Sequence, residues 1–168
     1  MNRLALLLTI ALITTETSAQ YFNGQIRIDS INKSYIFQIT DKVIKPNITR
    51  IYYWFKSGHI HQTEGSYNGK LLHGPYKIID SRRQLLEEGL YRFGVKTGVW
   101  RSWYSNGRLK SYIKINPLIN VTHISEYDET GQCIKRGKEK YSLFTGYDVE
   151  FKNDTSSIRK FKKGVLLP

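Results

Sequence analysis

The sequence predicts an all-β protein, an extended antiparallel β-meander of hairpin repeats about 24 residues long, and three observations predict it. Aromatic residues make up 13% of the chain while Pro is held to 4 and Gly reaches 13, a balance that suits strands and tight turns better than helices. Bulky side chains return at a fixed interval along most of the chain. At Asn106-Gly107 a two-residue turn signal sits between runs of aromatic and β-branched residues, which marks a hairpin.

Residues 1–19 read as a secretory signal peptide. Asn2 and Arg3 precede the apolar run Leu4 to Ile13, and Thr17 and Ala19 occupy positions minus three and minus one of a cut before Gln20. That run is far short of the roughly 20 apolar residues needed to cross a bilayer. The expected location is secreted or periplasmic, and the Lys-, Ile-, Asn- and Tyr-rich usage points to a bacterial source. Residues 20–50 are expected to form an N-terminal capping β-hairpin, because Ile26 and Ile28, then Tyr35, Phe37 and Ile39, alternate with polar residues on either side of Asp29 to Lys33.

Residues 51–158 carry the repeat. Gly65 and Gly74, Gly89 and Gly98, and Gly137 and Gly146 form pairs of equal spacing, with Ile113 and Thr122 replacing glycine in the copy between the last two. One column of the 24-residue period holds Phe55, Ile79, Trp103, Tyr127 and Phe151. A second holds Tyr52, Tyr76, Trp100 and Ile124, and a third Tyr67, Tyr91 and Ile115. Turn residues recur at Ser57-Gly58, Asn106-Gly107 and Thr130-Gly131, whereas the second copy departs with Asp80-Ser81-Arg82-Arg83. Residues 159–168 form a basic C-terminal tail or a charged edge strand, since lysines on an exposed edge block sheet-to-sheet aggregation.

A two-residue loop at Asn106-Gly107 sets Trp100 opposite Ile113 and Ser102 opposite Ser111 on a mostly apolar face. Arg101, Trp103, Arg108, Lys110, Tyr112 and Lys114 then share the other face, which is basic and aromatic. A loop one residue longer pairs Trp103 with Leu109 and turns it inward, and the bulk of its column favours at least part burial.

The run Gly98-Val99-Trp100-Arg101-Ser102-Trp103-Tyr104-Ser105-Asn106-Gly107-Arg108-Leu109 resembles the MORN repeat variant family, the YwqK-like antitoxins, whose units read Gly-x-Trp, two aromatics, then Asn-Gly-x-Leu. The preceding copy keeps Gly65, Tyr67, Gly74, Tyr76 and Leu85, and the following one keeps Tyr127 and Gly131. The resemblance spans residues 51–151 and implies side-by-side stacking of hairpins, as repeat proteins stack their units. It implies an interaction surface and brings no catalytic residue. An immunity or antitoxin-like role outside the cytoplasm is what the family label suggests for an exported chain.

No motif supports catalysis, so the expectation is a non-enzyme without a cofactor. Ser102 and Ser105 lack a nucleophile-elbow context, and Glu87 and Glu88, as strand neighbours, point to opposite faces. His59 and His61 are spaced to chelate, yet no third ligand is evident. Cys133, the single cysteine, falls beside the Leu109 column and reads as a small core residue. The chain carries 26 Lys plus Arg against 14 Asp plus Glu, a formal charge of +12. Lys135-Arg136-Lys138-Lys140 and Arg159-Lys160-Lys162-Lys163 are its densest stretches.

The expected function is that of an exported binding scaffold whose sheet holds a protein partner. The residues expected to bind are Trp100, Trp103, Tyr104, Arg101 and Lys110, with Lys160, Lys162 and Lys163 in the tail. The alternative is direct attraction to an anionic envelope lipid or polysaccharide, with nucleic acid the least natural partner outside the cytoplasm.

Overall fold

The computed structural model describes residues 19–22, 24–152 and 155–168, so the signal-peptide reading lies outside the described residues except for Ala19. Among the described residues there is no helix, and a single antiparallel sheet contains 14 strands. They are β1 (Ala19–Phe22), β2 (Gln25–Asp29), β3 (Lys33–Thr40), β4 (Ile51–Lys56), β5 (His59–Glu64), β6 (Lys70–Asp80) and β7 (Leu85–Arg92). They continue as β8 (Val95–Trp103), β9 (Leu109–Asn116), β10 (Val121–Tyr127), β11 (Cys133–Lys140), β12 (Leu143–Lys152), β13 (Thr155–Lys162) and β14 (Val165–Leu166). The sheet runs in chain order, except that β3 pairs directly with β6 while the β4–β5 hairpin branches off. The expected meander is therefore present, with one displaced hairpin.

The period becomes geometry at the turns. At Asp80–Gln84, Tyr104–Arg108 and Asp128–Gln132 the first N–H donates to the last carbonyl at 2.9, 2.9 and 3.0 Å, and the fourth N–H donates back to the first carbonyl at 3.0, 2.9 and 3.0 Å. The fourth residue is left-handed each time: Arg83 at φ 65°, Gly107 at 81° and Gly131 at 95°. The second copy thus keeps the turn that its sequence seemed to abandon, with Arg83 holding a conformation that glycine adopts more readily. Asp80 compensates by accepting from the N–H groups of Arg82 at 2.9 Å and Gln84 at 2.8 Å. Those bonds hold its carboxyl below the usual range, and for Asp128 the Thr130 hydroxyl does so first, with backbone N–H groups of the turn adding to it. The sheet's opposite end turns on Phe93-Gly94 and Tyr141-Ser142, both residues of each pair having positive φ.

The cross-strand pairs of both alternatives for the Asn106-Gly107 hairpin occur, because a bulge separates them, while alternation along β8 leaves Trp103 on the side of Arg101. Trp100 faces Ile113 and Ser102 faces Ser111, and beyond a register shift Trp103 faces Leu109. Trp103 is half-buried.

One cross-strand row fixes the two faces. It passes through Ile26, Phe37, Tyr76 and Gly89, then Trp100, Ile113, Ile124, Gly137, Gly146, Phe161 and Leu166. The Trp100 ring lies over Gly89, where a Cβ would collide with the indole. At the N-terminal end this face is covered: Phe55 meets Phe37 with ring centroids 5.5 Å apart, and Tyr53 meets Tyr91 at 5.1 Å. The turn glycine Gly94 links the layers by donating to Leu72 O and accepting from Tyr53 N, both at 2.7 Å. All four residues of the second column, Tyr52, Tyr76, Trp100 and Ile124, are buried. From Cys133 onward no described residue is buried.

The ends differ from expectation in two respects. Residues 20–50 supply most of β1 and all of β2 and β3 before a loop over residues 41–50, so the N-terminal element is larger than a hairpin. The basic segment 159–163 lies mostly in β13, which β12 flanks on one side and β14 covers only at Phe161 and Lys162, so the edge strand within 159–168 is the short β14.

Candidate functional site

Strand alternation sorts the charges of the C-terminal half. The register carries a row over the open face through Arg101, Tyr112, Ser125, Arg136, Tyr147 and Lys160. A second row passes through Lys114, His123, Lys138 and Thr145, and Lys162 follows one residue beyond Phe161, where the pairing of β12 with β13 ends. Lys140 stands in the next row, opposite Val121 and Leu143. The described carboxylates of β9–β13, Glu126, Glu139 and Asp148, share the other, covered face. There Glu126 pairs with Lys135 at 3.8 Å, and Asp148 with Arg159 at 2.8 Å. On the open face Arg101 reaches Glu88 at 3.0 Å, whereas Lys114, Arg136, Lys138, Lys140, Lys160 and Lys162 form no salt bridge among the described residues. All six are exposed.

This face gathers some expected binding residues and loses others. Trp100 is corrected to a core position: it is 3% exposed, its indole N–H donates to Thr97 O, and burial removes it from any contact surface. Tyr104 is half-buried and donates to Tyr127 O at 2.8 Å, which joins successive repeat turns. Lys110 is exposed beside the Tyr104 ring at 5.4 Å. Arg101 is half-buried, held by Glu88 and 5.6 Å from the Tyr112 ring. Lys160, Lys162 and Lys163 are exposed, the last in the β13–β14 turn at φ 51°.

Cys133 is also placed differently from expectation. It is half-buried beside Tyr147 on the open face, and its Sγ accepts from the Tyr147 hydroxyl at 3.4 Å. That bond holds the phenol above its ordinary range. His61 stacks on Trp54 with centroids 4.3 Å apart, and among the described residues no three His, Cys, Asp or Glu side chains gather to hold a metal ion.

A second concavity was not foreseen. Between the β4–β5 hairpin and the covered face lies a cleft of about 540 Å³ lined by Tyr35, Tyr53, Tyr76, Tyr91, Glu87 and Lys96 among others. Lys96 Nζ lies 3.5 Å from Glu87 and 3.9 Å from the centre of the Trp100 ring. Burial, with the Glu87 charge adding to it, pushes the phenols of Tyr53 and Tyr76 up, and burial with neighbouring phenols does so for Tyr91. Glu87 and Glu88 do point to opposite faces, as strand alternation requires. The cleft escaped detection because β4 comes to it from outside the meander order, and periodicity carries no information on such a contact.

Compared with known proteins, the chain matches no family model, no curated protein and no solved structure.

Proposed function

We propose that the protein is an exported, non-catalytic binding scaffold, a MORN-like array that holds an anionic partner on its open sheet face. The observation that carries this reading is the sorting of charge by strand alternation: six exposed cations on one face, with the described carboxylates of the same strands on the other. Exposed cations without a carboxylate partner attract anions at long range and lose that attraction as salt screens them. Leu143, Ile158 and Val165 lie exposed among the lysines and add apolar contact for that partner.

The test is a pull-down with the tagged protein from envelope extract, washed at low and high salt, beside a variant with Lys160, Lys162 and Lys163 replaced by Gln. A partner released by salt and not retained by the variant supports the reading. A partner that survives high salt and binds the variant equally well overturns it.

A further inference from the structure

The 24-residue period does more than repeat the fold, because it also repeats charge. Lys114, Lys138 and Lys162 are one period apart, and so are Tyr112, Arg136 and Lys160. One period corresponds to two strands, from β9 to β11 to β13. At about 4.8 Å between neighbouring strands the cations of a row therefore recur every 9.5 Å or so. Between them stand uncharged side chains, Thr145 in one row and Tyr147 in the other, with His123 and Ser125 on β10.

Two physical arguments narrow what such a ladder can hold. A sheet twists by about 20 to 25° per strand, so side chains two strands apart are turned by nearly half a right angle. A flat bilayer meets only part of such a face, whereas a linear chain can follow it. The second argument is charge density. A nucleic acid strand in a duplex carries a phosphate about every 3.4 Å, far denser than the ladder. A linear polysaccharide with an acid group on alternate sugars carries its charges at a step of two sugar rings laid end to end, which is close to two strand spacings. The hydroxyls and phenols between the lysines suit the uncharged sugar of each pair.

We infer that the open face of β9–β13 binds a linear acidic polysaccharide, one anionic group per disaccharide, with Lys114, Lys138 and Lys162 reading successive acid groups. This rests on the reading of the open face as an anion-binding surface and specifies its ligand.

The experiment uses the full chain and hyaluronan oligosaccharides of increasing length, which carry one carboxylate per disaccharide, with poly-L-glutamate and oligothymidylate as competitors of equal total charge. Affinity is expected to rise with length until three carboxylates are engaged and then to level. The decisive variant is Lys138→Gln with Thr145→Lys, which keeps the net charge and the row but moves the middle cation by one strand. Its affinity for the oligosaccharide is expected to fall about fivefold, the worth of one lysine contact, with poly-L-glutamate binding unchanged.

Circular dichroism of that variant separates loss of contact from loss of fold, and if it unfolds, Lys138→Gln alone against Lys77→Gln supplies the same comparison outside the ladder. Equal oligosaccharide binding by the shifted variant overturns the ladder while leaving the anion-binding reading standing. Tighter binding of oligothymidylate or poly-L-glutamate than of hyaluronan overturns the polysaccharide assignment. Failure to bind any of the three polyanions overturns the anion-binding reading itself.

Discussion

The two halves of the sheet share one antiparallel hairpin plan and are held together in different ways. In the N-terminal half the β4–β5 hairpin lies over the covered face, and Ile26, Phe37 and Leu72 are wholly shielded. From β9 onward the same face has no covering hairpin, and its one described buried side chain is Ile124. There Phe144 lies over Gly137, Phe161 stands 5.9 Å from Phe144, and the Asp148–Arg159 pair lies beside them. An identical backbone plan thus gives a packed core where a second layer exists and a single hydrogen-bonded layer where none does. Stability concentrates in the first half, which leaves the second free to present its faces.

The difference is most easily broken by paired truncations. Phe37→Ala should cost about 3 to 5 kcal/mol, because the cavity it leaves is enclosed. Phe161→Ala, on a half-buried ring, should cost about 1 kcal/mol. Urea unfolding followed by tryptophan fluorescence measures both, and equal losses would abolish the distinction between the halves.

Alkali sharpens the same contrast. Tyr76 and Tyr91 are buried with raised phenol pKa values. A group whose pKa is raised by folding supports the fold at pH below its unfolded value, and that support is lost as pH climbs past about 10. The thermal midpoint should therefore fall steeply in that range, and less steeply for Tyr91→Phe. A midpoint with the same alkaline slope in both proteins would show that these phenols do not carry the effect.

The turns permit a smaller test. Arg83→Gly relieves a left-handed residue and should raise stability by up to about 1 kcal/mol, whereas Gly107→Ala should lower it by about the same amount. Opposite signs in chemical denaturation are the expected result. The least effect belongs to Asp148→Asn, which removes a partly exposed ion pair in the uncovered half. It should cost under about 1 kcal/mol, less still in high salt.

The all-β class and the hairpin meander were legible because strands impose a period of two and the repeat fixes which residue of each strand returns to the same face. The basic character of the open face was readable for the same reason, from Arg101, Lys110 and Lys114 against Trp100 and Ile113. The covering hairpin was hidden, since the contact of Tyr53 with Tyr91 joins strands that are not sequence neighbours in the sheet. Its absence from a periodic reading is also why Trp100 looked available. A single-layer sheet would expose that ring to solvent, and a two-layer one buries it. Arg83 marks a different limit, because a side chain with αL strain compensated by Asp80 mimics glycine in shape without resembling it in sequence.

The shared turns at Tyr104–Arg108 and Asp128–Gln132 have a consequence for the gene. Excision of residues 109–132 joins Arg108 to Cys133 behind an intact turn, and it brings Gly137 opposite Trp100 in place of Ile113 with every face preserved. Unequal recombination between neighbouring units can therefore lengthen or shorten the array in frame without any new folding solution. The reach of the molecule becomes a number of copies, open to selection one hairpin at a time, while the covered half remains a fixed anchor.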